Sequence, residues 1–394
     1  MRLPTPVSRI ALVLAALVAG PVAAATPALP SDAAIAVEAG RIMAATHAKG
    51  LALAVVDDGQ VGFVGAWGVR DAKGDPLATD TVMAGASLTK TVFAYVVMQL
   101  VDQGRLKLDT PLADDLDKPL PDIAAAGNDA TYAELADDPR WNKITPRMCL
   151  THSTGLDNFE SLEADHRLHL HFEPGTRYSY SGLGIGLLQF VVERGRASQG
   201  LGVDFGELAQ KDFDRLGMTR TTLTWRHGED ANVADGWNDR GEVRPHEKRS
   251  KVRAASSMNT TIADLSTFAA ALVRGDGLSA ASRAEMVRPA LHITTAHQFP
   301  HFGAELPQAA QRQDLAAGLG VIVFDGPQGH GFYKGGHGGQ TANTMVCLER
   351  RRRCVVILSN DVRAEPGFAQ LVAFILGDTG VPYDWEYGDD AGKS

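Results

Sequence analysis

The chain has 394 residues, 44% of them hydrophobic, enough to bury a sizeable core as one large domain or two joined lobes. Lysine and arginine number 38 against 47 aspartates and glutamates, a formal net charge of −9, which argues against a nucleic-acid or anionic-membrane surface. Three cysteines, with Cys149 standing apart from Cys347 and Cys354, exclude a general disulfide framework.

Residues 1–25 read as a signal peptide: Arg2 and Arg9 give a positive start, Ile10 to Ala19 an apolar stretch, and Ala23-Ala24-Ala25 a small-residue cleavage site. No later run reaches the ~18 apolar residues of a membrane span, and no cysteine lies near the cleavage site to carry a lipid. The mature chain is therefore expected to be periplasmic or secreted, without a stable membrane anchor. Ala33 to Ala48 reads as a helix. Gly50–Asp57 and Gln60–Trp67 read as strands joined at Asp58-Gly59, a strong hairpin signal.

The stretch from Thr81 to Gly104 predicts a nearly all-apolar helix of about four turns, stopped by Gly104. Ser87 and Lys90 stand three apart on its first turn, so hydroxyl and amine share a face. A serine becomes a useful nucleophile only when a neighbour takes its proton, and a desolvated lysine can do so. From about residue 111 to 253 the texture changes to loops, prolines and charges, read as a largely helical and irregular insertion. Within it, Phe172-Glu-Pro-Gly175 leads to Tyr178-Ser-Tyr180-Ser-Gly182 and the helix-like Ile185 to Arg194, presenting a phenol at the mouth of a helix. A phenolate, or a phenol sharing its proton with a lysine, can deprotonate a serine.

Asn259 to Val273 reads as a capped helix, and strands are expected over 318–324, 331–340, 344–348 and 354–359, before an apolar helix over 367–376. Arg350 to Arg353 lies between two of these strands and reads as a hairpin turn, with Cys347 and Cys354 flanking it. Gly335-Gly336-His337-Gly338-Gly339-Gln340 lets a substrate approach backbone, and free N–H groups on a strand edge can stabilise an oxyanion. Strands at both chain ends with helices between predict an α/β (α+β) fold. One antiparallel sheet would be covered by helices, with a sheet lobe over about 33–110 and 254–377, all within a single catalytic domain spanning 26–394.

Ser87-Leu-Thr-Lys90, Tyr180-Ser-Gly182 and His337-Gly-Gly339, in this order, resemble the serine β-lactamase and penicillin-binding-protein superfamily, in its class C-like branch. Leu150-Thr-His-Ser-Thr-Gly-Leu156 and Val356-Ile-Leu-Ser-Asn360 add to the likeness, which covers about residues 33 to 377. The resemblance implies a β-lactamase/transpeptidase-like fold and acyl transfer without a cofactor. It makes Ser87 the nucleophile and Lys90 with Tyr180 the proton-shuttling pair. His337 would replace the family lysine, the N–H groups of Ser87 and Gln340 would form the oxyanion hole, and Gly182, Gly338 and Gly339 would contact substrate. Two departures stand out: Gly182 occupies a position where many relatives carry an asparagine, and His337 is titratable where a fixed charge is usual. The expected substrate is a small molecule or peptide with an ester, D-amino-acid amide or β-lactam bond. A catalytically weak peptidoglycan or β-lactam sensor on the same fold is the alternative reading. His166, His169 and His171 cluster, but no zinc-hydrolase spacing accompanies them, so no metal is expected; no Gly-x-Ser-x-Gly of an α/β-hydrolase occurs either.

Overall fold

Gly50–Asp57 (β1) is buried at all but its last position, because its alternate side chains feed two separate cores. Leu51, Leu53 and Val55 point to one face and Ala52, Ala54 and Val56 to the other. The computed structural model describes residues 27–125, 130–226 and 228–388; the signal-like segment 1–25 lies outside them. β1 turns at Asp58-Gly59, both with positive φ as a tight hairpin requires, into Gln60–Gly68 (β2).

The remaining strands of the sheet come from the last third: Leu291–His292 (β3), Leu315–Ala317 (β4), Ile322–Gly326 (β5), Gly329–Gly338 (β6), Thr341–Leu348 (β7) and Arg353–Ser359 (β8). They pair antiparallel in the order β2-β1-β8-β7-β6-β5-β4-β3, so both ends of the chain share one eight-stranded sheet, as expected. β3 and β4 escape sequence reading because two and three residues carry no measurable alternation.

On one face lie the helices Asp32–Thr46 (α1) and Phe368–Leu376 (α7), packing Ile35, Leu371 and Ile375 onto the Leu51 side. On the other lie Thr89–Asp102 (α2) and Ile262–Arg274 (α5), which bury Phe93, Val96 and Phe268 against the Ala52 side. Burial on both faces makes the central strands near-continuous hydrophobic runs. The intervening region contributes Gly182–Arg194 (α3), Phe205–Leu216 (α4) and many single turns. Ala280–Val287 (α5's successor, α6) and the short Tyr383–Tyr387 (α8) complete the helices that matter here.

Cys347 and Cys354 are direct partners across the β7–β8 hairpin and form a disulfide, with Cα atoms 4.1 Å apart. The arginines of that turn are held by carboxylates: Arg353 and Arg351 meet Asp57 at 2.7 and 3.1 Å, and Arg352 pairs with Asp58. Among the described residues, no helix is long and apolar enough to cross a membrane.

Candidate active site

Ser87 sits on a single 3-10 turn, Ala86–Leu88, immediately before α2. It does not cap the helix: the N-cap is Leu88. The turn is fixed from behind. Thr89 Oγ1 donates to Ala86 O at 2.6 Å, Met258 N–H donates to Thr89 Oγ1 at 3.1 Å, and Gly85 N–H donates to Met258 O at 2.8 Å. Ala86 itself takes a positive φ of 45°, a conformation a non-glycine holds only when its surroundings enforce it.

Lys90 is 2% exposed, and its Nζ donates to Ser87 Oγ at 3.1 Å and to Ala255 O at 2.8 Å. Burial, the largest influence, lowers its pKa, which favours the free amine that can accept a proton. Tyr180 comes from the segment leading into α3 and is likewise buried. Its ring is flanked by two lysine side chains, with Lys90 Nζ 4.8 Å and Lys334 Nζ 5.0 Å from the centroid. Burial alone would raise the phenol, but Lys334 and then Lys90 outweigh it and bring the pKa down to about 8. His152 supports the ring from below at 4.4 Å, and Ser181 N–H donates to His152 Nδ1 at 3.1 Å. Desolvation lowers the pKa of His152 well below its ordinary value, so it meets Tyr180 as a neutral plate.

Motif spacing alone does not single out Lys334. Its Nζ donates to Tyr180 Oη at 3.3 Å and to Gly335 O at 2.6 Å. The available signal was a lone cation in the otherwise apolar and glycine run Phe332-Tyr-Lys-Gly-Gly336, itself a Lys-x-Gly. His337 was expected in this place and is not there. Residues 334 and 337 are an odd number apart on one strand, so the pleat sends their side chains to opposite faces. A Cβ on Gly336, on the Lys334 side, would lie 3.0 Å from Gly85 O and 3.2 Å from Leu88 N, against the Ser87 turn. A Cβ on Gly335, on the His337 side, would run into the Glu386 carboxylate of α8. The His337 ring accordingly pairs with Glu365, at 3.0 Å, and this hydrogen bond raises its pKa.

The backbone of β6 also departs from expectation. Glu349 N–H donates to His330 O at 3.0 Å, and the β6–β7 register runs unbroken from Gly331↔Leu348 to Gly338↔Thr341. Alternation along an antiparallel ladder then turns even-numbered residues toward β7 and odd-numbered ones to the opposite edge. Pairing with β5 ends at Tyr333↔Ile322, so the N–H groups of Gly335 and His337 emerge on an open edge beside the Ser87 turn. Gln340 lies in the two-residue turn beyond, between Gly338 and Thr341. Gly338 and Gly339 line the same cleft, of about 710 Å³, as Ser87, Lys90, Tyr180 and Lys334. Gly182 is buried at the start of α3, where a Cβ would sit 2.6 Å from Asn158 O and 2.7 Å from its Oδ1. Asn158 lines the cleft and fills the space that a side chain at 182 would need.

The sequence matches the family described as Beta-lactamase over residues 38–376. The chain belongs to that family. Among solved structures, the fold is similar to an octameric penicillin-binding protein homologue from Pyrococcus abyssi (TM-score 0.67, 19% identity, 87% of this chain and 76% of that one). It is equally similar to D-alanine carboxypeptidase AmpC from Burkholderia cenocepacia (TM-score 0.66, 18% identity, 87% and 97%). At these identities the likeness is one of fold. Penicillin-binding protein 4 of Amycolatopsis lactamdurans is 36% identical over 110 residues, 28% of this chain and 25% of that protein, so the chain spans about a quarter of that relative's length.

Proposed function

We propose that this Beta-lactamase family member is an exported serine hydrolase that cleaves an ester or amide bond through an acyl-enzyme on Ser87. The observation that carries this reading is the Ser87 hydroxyl, 3.1 Å from the Lys90 amine, next to a phenol whose pKa is held at about 8. Tyr180, as phenolate, takes the Ser87 proton, with Lys90 relaying it. Oγ then attacks the substrate carbonyl, and the N–H groups of Ser87 and His337 receive the developing oxyanion, His337 replacing Gln340 as the second donor. Tyr180 returns its proton to the leaving alcohol or amine as the carbon–oxygen or carbon–nitrogen bond breaks. A water, deprotonated by the same phenolate, attacks the acyl carbon; the bond to Oγ breaks, the acid leaves, and Tyr180 returns the proton to Ser87 Oγ. Lys334 keeps the phenolate accessible near neutral pH. No step requires a metal or an organic cofactor.

The names of the relatives, penicillin-binding protein and D-alanine carboxypeptidase, favour a D-amino-acid peptide or a related acyl compound as substrate. The Cys347–Cys354 disulfide favours an oxidising compartment, in keeping with export. The test is intact-mass spectrometry of the mature protein with a fluorophosphonate, a penicillin and p-nitrophenyl acetate, in parallel with Ser87→Ala. A single adduct that disappears in Ser87→Ala supports the reading. Labelling that survives the substitution overturns it, and no adduct from any probe favours the sensor.

A further inference from the structure

We propose that Asp157, Glu163 and His171 form a binding site for one divalent transition cation of the Zn²⁺ class, in the loops packed against the segment that carries Tyr180. One donor atom from each lies within 4.8 Å of the others. Asp157 and Glu163 are 6% and 7% exposed, whereas His171 is open to solvent and gives an ion a way in. Two carboxylates taken out of water side by side are costly unless positive charge accompanies them. Two carboxylate oxygens with one imidazole nitrogen are a donor set suited to such a cation, and small side-chain rotations would bring them to bonding distance.

The surroundings have the form of a metal site's outer layer. His171 Nε2 is 2.7 Å from Glu163 Oε1, so a cation would replace the proton shared there, His171 ligating as neutral imidazole. His301 Nδ1 lies 2.9 Å from Asp157 Oδ1 and would orient that carboxylate from outside, as ligand-holding partners do. The His171 ring is stacked on Phe302 at 4.0 Å. His169, its sequence neighbour, instead pairs with Asp165 at 2.9 Å on the surface and is no part of the set.

The three residues are close because the backbone folds back on itself. His171 N–H donates to Gly155 O at 3.0 Å, and Gly155 adopts a φ of +88° to allow it. The same loops frame the candidate base. Ser181 Oγ donates to Asp157 O at 3.0 Å, Phe302 N–H donates to Ser179 Oγ at 3.1 Å, and Phe299 sets its ring edge against Tyr180 at 5.7 Å. A cation joining Asp157, Glu163 and His171 would brace the segment that carries Tyr180. The inference does not depend on the hydrolase reading.

The test uses the mature, tag-free chain, stripped with EDTA, loaded with ZnCl₂ and dialysed, with zinc measured by elemental mass spectrometry and melting followed by circular dichroism. About one Zn²⁺ per chain is expected, with a melting temperature at least about 3 °C higher than the stripped protein, reversed by EDTA. Glu163→Gln and His171→Asn should lose the retained zinc, while Asp165→Asn, at the neighbouring surface pair, should keep it. Failure of the wild-type chain to retain zinc, or retention undiminished in both ligand variants, overturns the proposal. The wild-type result is decisive even if a variant does not fold.

Discussion

The Lys334 ammonium donates to the Tyr180 hydroxyl at 3.3 Å from a strand, while Lys90 faces the same ring from a helix. A buried phenol ordinarily titrates above 10, and here two cations reverse that effect. If phenolate is the form that accepts the Ser87 proton, kcat/KM for an ester rises with pH to a plateau with a midpoint near 8. Lys334→Met removes the stronger of the two cationic influences, so the midpoint should move up by a unit or more. Activity at pH 7 should fall about 10- to 100-fold, most of it regained at high pH. A pH–rate profile with an unmoved midpoint would detach Lys334 from the phenol.

His337 separates the contribution of a side chain from that of its backbone. Its ring pairs with Glu365 on the face of β6 opposite Lys334, where both His337 and Glu365 line the cleft, while its N–H emerges at the open edge next to Ser87. His337→Ala should therefore retain activity within several-fold. His337→Pro removes the N–H at a position where the ladder makes no use of it, so the strand can tolerate the ring. Acylation should nonetheless fall by about 10²- to 10³-fold, the scale of one lost oxyanion donor. Burst-phase kinetics with p-nitrophenyl acetate measure both. Equal losses from the two substitutions would return the role to the imidazole.

Asp115 carries a stability prediction whose sign follows from its burial. One of its carboxylate oxygens is buried without a hydrogen-bond partner, and desolvation, with Asp114 nearby, raises its pKa to about 6. The unfolded chain ionises this group near ~4, so the folded state holds the proton longer. Stability is therefore lost as pH rises from about 4 through 6, and the deficit persists above. Asp115→Asn should melt higher than wild type at pH 7.5, by roughly 1–2 kcal/mol in stability after allowing for solvent screening, and like wild type near pH 4. Melting curves at the two pH values decide it; a gain at both would point to packing instead of charge.

Much of the fold was legible because its signals are local and repeated. The Asp58-Gly59 hairpin, the apolar run of α2 and the paired strands around Arg350–Arg353 each declare themselves within a dozen residues. Ser87, Lys90 and Tyr180 were found by spacing and order, and the structure brings all three together. Lys334 and His337 were harder. Motif spacing ranks His337-Gly-Gly339 and Lys334-Gly-Gly336 alike, and only the strand's pleat and register reveal which side chain faces Tyr180 and which N–H faces the edge. The Asp157–Glu163–His171 grouping was illegible for a different reason. It is closed by a loop whose contacts, such as His171 to Gly155, have no periodicity.

Gly182 stands where many relatives carry an asparagine, and the geometry explains why a side chain is absent there. The space a side chain would use there already contains Asn158, whose backbone O is the nearest obstacle at 2.6 Å and whose carboxamide follows at 2.7 Å. A rotamer change can move the carboxamide but not the carbonyl. Gly182→Ala should therefore destabilise the protein by about 1–3 kcal/mol, the range for forcing an atom into a filled site. Gly182→Asn should not raise β-lactam turnover above that of the wild type, because the loop carrying Asn158 would have to shift first. Adding Asn158→Ala to Gly182→Ala removes only the more distant contact and should recover only part of the loss. A double variant with wild-type melting would show that the carboxamide alone closes the site, and would make Asn158, not the backbone, the reason that residue 182 is glycine.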